Sequence, residues 1–213
     1  SAKFLKLIKR MIEYRIPKSA VDFSEEIKKS RFITYLQHTE GLEQAKAFWA
    51  EIKALHPSAR HWCWAAVSGS PNDSQQFGFS DDGEPSGTAG KPMLAALQGS
   101  GLGEISAVTV RYYGGILLGT GGLVRAYSGG VQQALKLLET DTKVNYTHYE
   151  VRCDYPQING LQALCEHHTV LILEQDFQAQ VRLRLAIRPD KFAFFQQALT
   201  ERFAGQLGLV KIE

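Results

Sequence analysis

The sequence predicts an α+β protein of two domains, and three observations lead to that prediction. Apolar residues recur at helical spacing in some segments and alternate in others, so helices and strands are mixed along the chain. Residues 139–143 are short, polar and free of apolar periodicity, and they separate two patterns that each look complete. With 213 residues, 44% of them hydrophobic, the chain is long enough for two cores. We therefore expect domains at residues 1–139 and 143–213.

The first half predicts a mixture of strands and helices. Residues 21–38 predict two strands, and the apolar residues from Ala45 to Leu55 then form the single stripe of a helix. Residues 61–67 predict a strand with Trp62 and Trp64 on one face and Cys63 on the other. A polar loop over 72–87, a helix over 89–97, a strand over 105–113 and a long helix follow. Two adjacent glycines of that helix, Gly129 and Gly130, predict that a neighbouring element packs closely against it.

The second half predicts the order β-α-β-β-α-β, which is the ferredoxin-like arrangement. Its third strand shows the cleanest alternation, with apolar residues from Phe177 to Ile187 interleaved with Arg182, Arg184 and other residues that are mostly polar. The open face of this sheet is expected to be basic and partly aromatic, which suits RNA, and we include Arg182 and Arg184 as candidate contacts. The alternative is a solvated face without a ligand.

Overall charge identifies no partner, because 24 Lys and Arg oppose 22 Asp and Glu. Residues 1–18 carry six basic side chains against Glu13 alone, and this arm either binds nucleic acid or is a solvated end. Three cysteines without close pairing indicate a reducing compartment, and no apolar run is long enough to span a membrane. We expect a cytoplasmic protein without a membrane partner.

Two glycine-rich segments, residues 80–94 and 108–127, carry the chemistry expected of a binding site. Neither matches a Walker loop, because no lysine precedes Thr120 and Pro92 follows Lys91. The backbone amides of 119–123 open a helix between Arg111 and Arg125, which predicts an anion site. The alternative is that the glycines only permit a tight turn. The candidate phosphate or nucleic-acid contacts in this half are Arg31, Lys91, Arg111, Tyr113, Gly119, Gly121, Gly122 and Arg125.

Metal and catalytic signals are weaker. Asp81, Asp82 and Glu84 could hold magnesium, although solvation or helix capping explains them as well. His61 and Cys63 share one strand face but form only half of a zinc site. We predict no catalytic residue and no cofactor.

Four segments resemble the IMPACT family of translation-linked proteins, in particular its bacterial branch. They are EEIKKSRFITY, ARHWCWAA, SDDGEPSGTAGKPML and VRYYGGILLGTGGLVRAY. The resemblance implies a first domain like the second domain of a small-subunit ribosomal protein, an α/β sandwich. It also implies a ferredoxin-like second domain and contact with RNA or the ribosome.

The leading hypothesis is a non-enzymatic regulator of translation that binds RNA or the ribosome. The first alternative is an enzyme of phosphoryl transfer or nucleotide hydrolysis, in which Asp82 or Glu84 holds magnesium and Lys91 faces phosphate. The second alternative is a protein-binding adaptor with a partner in translation control.

Overall fold

A computed structural model describes residues 2, 9 and 12–212, and most of the predicted basic arm lies outside them. The chain divides into two compact units. The first runs from Tyr14 to Lys143, and the second comprises Val144 onward together with Ile12 and Glu13. The two-domain α+β prediction is confirmed. The predicted limits, 1–139 and 143–213, stay a prediction, because compactness does not measure independent folding.

The first unit contains a five-stranded antiparallel sheet in the order β2-β3-β6-β4-β5 among the described residues. Its strands are β2 (Val21–Ile27), β3 (Ser30–His38), β4 (His61–Val67), β5 (Phe77–Ser80) and β6 (Ile105–Tyr112). Its helices are α1 (Gly41–Leu55), α2 (Gly90–Ser100) and α3 (Gly119–Leu137). Strand β1 (Glu13–Pro17) pairs with β7 (Thr140–Val144) in a separate ribbon. Sequence patterns missed β1, β7 and β5, and β5 lies inside the predicted loop.

The sheet of the first unit is covered on both faces. Alternation along β4 places Cys63 and Val67 in the core beneath α2 and α3, while Trp62 and Trp64 pack on the α1 side, as predicted. Helix α3 lies close to β3 at Gly130. A Cβ at this position would stand 2.6 Å from Thr34 Oγ1. The buried stripe of α3 consists of Leu123, Ala126, Tyr127, Gly130, Val131 and Ala134.

The second unit has the strand order β11-β8-β10-β9, with every pair antiparallel, which is the ferredoxin-like topology. Its elements are β8 (Thr147–Cys153), α4 (Ile158–His167), β9 (Leu171–Phe177), β10 (Val181–Ile187), α5 (Phe192–Arg202) and β11 (Val210–Ile212). Short 3-10 turns cover Ser74–Gln76 in the first unit and Tyr155–Gln157 and Pro189–Lys191 in the second. The prediction of one strand from Phe177 to Arg188 is wrong, because Phe177 ends β9 and Val181 begins β10.

Candidate functional site

The loop after β5 is organised by one carboxylate. Asp81 accepts hydrogen bonds from the backbone N–H groups of Gly87, Ala89 and Gly90 at 2.8, 3.1 and 2.8 Å. Burial alone would raise the pKa of Asp81, but these three donors lower it below its ordinary value. Gly90 must be glycine here, since a Cβ would lie 2.7 Å from the Ser80 backbone. The Asp81 side chain therefore fixes the path from the loop into α2.

The next two acidic residues of this loop are also committed to protein contacts. Asp82 Oδ2 accepts from the Trp62 backbone N–H at 2.8 Å. Glu84 Oε1 accepts from Arg111 Nη1 at 2.6 Å and from the Tyr127 hydroxyl at 2.8 Å. Within residues 2, 9 and 12–212, no group of three or more His, Cys, Asp or Glu side chains could hold a metal ion. The oxygens of Asp81, Asp82 and Glu84 therefore serve three separate structural roles, and the magnesium site considered for them stays a prediction.

Arg111 does not offer its charge to solvent. It is 5% exposed, its Nη1 is paired with Glu84, and its Nη2 lies 3.4 Å from Ser30 Oγ. Its guanidinium also lies over the rings of Phe32 and Tyr113, at 5.4 and 5.5 Å from the ring centroids. The expectation of a solvent-facing Arg111 is corrected, because Glu84 already balances its charge.

Two neighbours of Glu84, Tyr127 and Cys63, are held in their uncharged forms. Burial raises the pKa of the Tyr127 hydroxyl, and the neighbouring Cys63 and Glu84 raise it further. Burial likewise raises the pKa of the Cys63 thiol, whose Sγ lies 3.0 Å from the Asp81 carbonyl oxygen. Cys63 is thus a buried neutral thiol and lacks the thiolate character of a nucleophile or zinc ligand.

A cleft of about 450 Å³ opens above this buried network, and we call it the Glu84 cleft. Arg60 lies over the exposed Tyr113 ring, 5.9 Å from its centroid, and Arg111 lies 5.5 Å from the same centroid. The first residues of α3, Gly119 and Thr120, are exposed at the rim, and no side chain caps this helix. The cleft is lined by Arg60, His61, Gly83, Glu84, Pro85, Arg111, Tyr113, Leu117, Leu118, Gly119, Thr120 and Leu123.

The structure brings together only part of the predicted anion surface. Arg111, Tyr113 and Gly119 line the Glu84 cleft, whereas Gly122 and Arg125 line a separate cavity of about 390 Å³. Gly121 is exposed on the first turn of α3, beside the Arg125 guanidinium. The remaining two predicted cations lie elsewhere in the unit: Lys91 is in a groove between α2 and α3, and Arg31 is exposed on β3.

Arg60 and His61 are site residues that sequence reasoning missed or misread. His61 was considered only as half of a zinc pair, and Arg60 was not considered. Antiparallel pairing of β4 with β6 places His61 opposite Arg111, although the two are 50 positions apart in sequence. The available signal was the motif ARHWCWAA itself, in which a cation and a histidine precede a buried strand.

The open sheet face of the second unit is the face opposite α4 and α5, and it is not basic. The cross-strand register interleaves its arginines with carboxylates, so that Arg182 lies 3.3 Å from Asp176 and 3.8 Å from Glu150. Arg184 lies opposite Glu150 and Glu174, and all three line a small cavity of about 110 Å³. The prediction that this face is basic is wrong, because acidic side chains on the same face balance Arg182 and Arg184.

The structure describes no helix long and apolar enough to cross a membrane.

Comparison with known proteins agrees with the resemblance noted in the sequence. Residues 28–135 match the family described as Impact N-terminal domain, and residues 151–206 match a domain of unknown function, DUF1949. The chain is 66% identical to an IMPACT family member of Haemophilus influenzae over 203 residues, 95% of this chain and 98% of the relative.

Further relatives include YigZ of Escherichia coli, which is 57% identical and matched over 95% of this chain and 100% of its own length. YvyE of Bacillus subtilis is 33% identical over 91% of this chain and 88% of its own length. A crystal structure of a hypothetical protein aligns with a TM-score of 0.71 at 57% identity, covering 95% of this chain and 98% of that one. By these matches, the chain belongs to the IMPACT family.

Proposed function

We propose that this protein is a translation-linked regulator that acts in the cytoplasm by binding single-stranded RNA, free or within the ribosome, in the Glu84 cleft. Membership of the IMPACT family supports the link to translation. The observation that carries the proposal is the stack of Arg60 on the exposed Tyr113 ring beside the uncapped start of α3.

These three features match what a nucleotide in single-stranded RNA presents. Tyr113 is 43% exposed, so its outer surface offers a platform on which a base can stack. Arg60 forms no ion pair with any residue that the structure describes, and its charge is therefore available to a phosphate. The N–H groups of the first turn of α3 add donors and a partial positive charge.

Arg111 has a supporting role in this proposal. Its guanidinium packs against Tyr113 and is held by Glu84, so it positions the aromatic platform without contacting phosphate. Arg31, Lys91, Gly121, Gly122 and Arg125 lie outside the cleft and are proposed as contacts to the flanking backbone of a longer RNA. The proposed functional domains are residues 1–139 and 143–213, with base and phosphate contacts in the first.

The test is fluorescence anisotropy of the full chain with a labelled single-stranded RNA of about ten nucleotides, at two salt concentrations. Arg60→Ala removes one phosphate contact and is expected to weaken binding about 3–10-fold and to reduce the salt slope by about 1. Arg182→Ala in the second unit is the matched control, because it also removes one arginine charge but is expected to change the affinity less than twofold. Equal effects of the two substitutions would contradict the proposed site.

A protein partner is the alternative that the same experiment addresses. If the wild-type chain binds no RNA at low salt, the RNA proposal is overturned. A pull-down from extract that survives nuclease treatment would then favour an adaptor in translation control.

A further inference from the structure

The floor of the Glu84 cleft carries two neighbouring hydrogen-bond acceptors. His61 Nδ1 lies 2.8 Å from the carbonyl oxygen of Asp82. Because a carbonyl oxygen only accepts, Nδ1 carries the hydrogen, and in that tautomer Nε2 is an acceptor. This Nε2 lies 3.7 Å from Glu84 Oε1. Imidazole nitrogen and carboxylate therefore stand side by side on the same wall.

The second oxygen of Glu84 is the unusual group. Oε1 accepts from both Arg111 and Tyr127, whereas Oε2 forms no hydrogen bond with the described part of the chain. Glu84 Oε2 still has some contact with solvent. Among the described residues, the side-chain atoms that lack both a hydrogen bond and solvent contact are the Ser68 hydroxyl and Arg111 Nε, and Oε2 is not one of them. The Glu84 side chain is nevertheless only 3% exposed. A nearly buried carboxylate oxygen without a donor is unfavourable unless a ligand supplies one.

The Glu84 carboxylate is also held rigidly. Two donors on Oε1 fix its orientation, and Arg111 is itself packed between Phe32 and Tyr113. The backbone of the same wall turns through left-handed conformations at Asp82 and Gly83, with φ of 41° and 86°. The acceptor pair is thus preorganised, which reduces the ordering cost of binding.

We infer that the Glu84 cleft recognises the Watson–Crick edge of an unpaired guanine, an inference that rests on the proposed binding of RNA. Guanine presents two adjacent donors, N1–H and the N2 amino group, which complement two adjacent acceptors. In adenine and cytosine the amino group stands beside a ring acceptor, and in uracil the N–H stands between two carbonyls. Those edges would place an acceptor against His61 Nε2 or Glu84. A cleft of about 450 Å³ is large enough for one nucleotide.

The rest of the cleft accommodates the other parts of this nucleotide. The guanine ring stacks on Tyr113, and its phosphate lies at the rim near Arg60 and the start of α3. Leu117 and Leu123 provide apolar walls that keep water from competing for the acceptors. The donors at the rim match the phosphate of a guanine nucleotide, and the acceptors at the floor match the edge of its base.

The experiment compares heptamer RNAs that differ only at the central base, with uridines on both sides. We expect the guanosine heptamer to bind the full chain about tenfold more tightly than the uridine or adenosine heptamer. Inosine lacks only the N2 amino group, so the inosine heptamer is expected to bind about fivefold more weakly than the guanosine heptamer. Because these comparisons use the unaltered protein, they do not depend on the folding of a variant.

Further measurements distinguish failure of the guanine inference from failure of the proposed RNA binding. Equal affinity for all four heptamers would overturn the guanine inference and leave the proposed RNA function intact. Direct binding of guanosine monophosphate in a calorimetric titration, without binding of any heptamer, would support base recognition and overturn the RNA function. Glu84→Gln is expected to abolish the preference for guanosine over inosine. Its tryptophan fluorescence reports whether the first unit is folded, and a folded variant that keeps the preference would contradict the inference.

Discussion

The Glu84 cleft and the open sheet face of the second unit look alike in the sequence and differ in the structure. Both contain arginines near aromatic residues. In the cleft, Arg60 has no carboxylate partner among the described residues, and the buried Glu84 is used by Arg111. On the open sheet face, Arg182 is within 4 Å of both Asp176 and Glu150. Whether an arginine is available to a ligand therefore depends on which carboxylates the fold places beside it. The number of arginines in a segment does not show this.

The largest expected difference between the two regions concerns how their carboxylates stabilise the fold. Asp81→Ala leaves three backbone N–H groups without their acceptor and should lower the free energy of unfolding by about 2–4 kcal/mol. Asp176→Ala removes an exposed ion pair and should lower it by about 0–1 kcal/mol. Denaturant unfolding would be followed by circular dichroism and by tryptophan fluorescence.

The fluorescence signal is specific to one unit, because Trp49, Trp62 and Trp64 are the three tryptophans and all lie in the first unit. A fluorescence midpoint unchanged by Asp81→Ala would show that the loop is held by other contacts. It would also remove the structural distinction between the two groups of carboxylates.

Much of the fold was predictable, because it depends on local periodicity. Alternation along β4 correctly separated Trp62 from Cys63, and Gly130 correctly indicated a close helix-to-sheet approach. The failures depend on partners distant in sequence. Arg182 meets Glu150 across a strand pair, and His61 meets Arg111 across another. Composition near each residue contains no information about which carboxylate the fold will place beside it.

The next largest effect separates the exposed aromatic residues of the two regions. Tyr113→Ala removes the proposed stacking platform and should weaken RNA binding by about 1–3 kcal/mol, which is roughly 5–150-fold. Tyr155→Ala removes a similarly exposed ring from the second unit, where its hydroxyl donates to the Gln178 carbonyl, and should leave RNA affinity within about twofold. Anisotropy with the same RNA checks both variants. A larger loss from Tyr155→Ala would move the binding site to the second unit.

A third effect, on stability, tests how closely α3 packs against β3. In Gly130→Ala, the new Cβ would press on Thr34, a buried residue whose hydroxyl is paired with Thr109 at 3.0 Å. We expect a loss of about 1–3 kcal/mol in the free energy of unfolding. Gly129→Ala has nothing within 4 Å of its Cβ and should gain about 0.5–1 kcal/mol from helix propensity. Thermal unfolding followed by tryptophan fluorescence measures both, and a destabilising Gly129→Ala would contradict this packing.

The smallest expected effect concerns the pKa values of two carboxyl groups. One is lowered by backbone N–H groups and the other by an arginine side chain. Backbone N–H groups lower the pKa of Asp81 against the effect of burial, whereas the Arg188 guanidinium is the main cause that lowers the pKa of Asp190 in the second unit. Arg188 Nε and Nη2 lie 3.0 and 3.1 Å from the Asp190 oxygens. Both folded pKa values lie below the ordinary value of 3.8. Each group therefore adds stability that is present above about pH 4 and is lost as pH falls through its lowered pKa.

Salt should affect the two carboxylates differently. Raising ionic strength from about 0.05 to 0.5 M screens the exposed Arg188–Asp190 pair and should move the pKa of Asp190 toward its ordinary value. The pKa of Asp81 should change less, because its donors are short hydrogen bonds from a fixed backbone. Titration of the side-chain carboxyl carbons by NMR measures both, and Arg188→Ala should raise the pKa of Asp190 and leave that of Asp81 unchanged. An equal salt response would mean that Asp81 is held by charge, in the same way as the second unit's carboxylates.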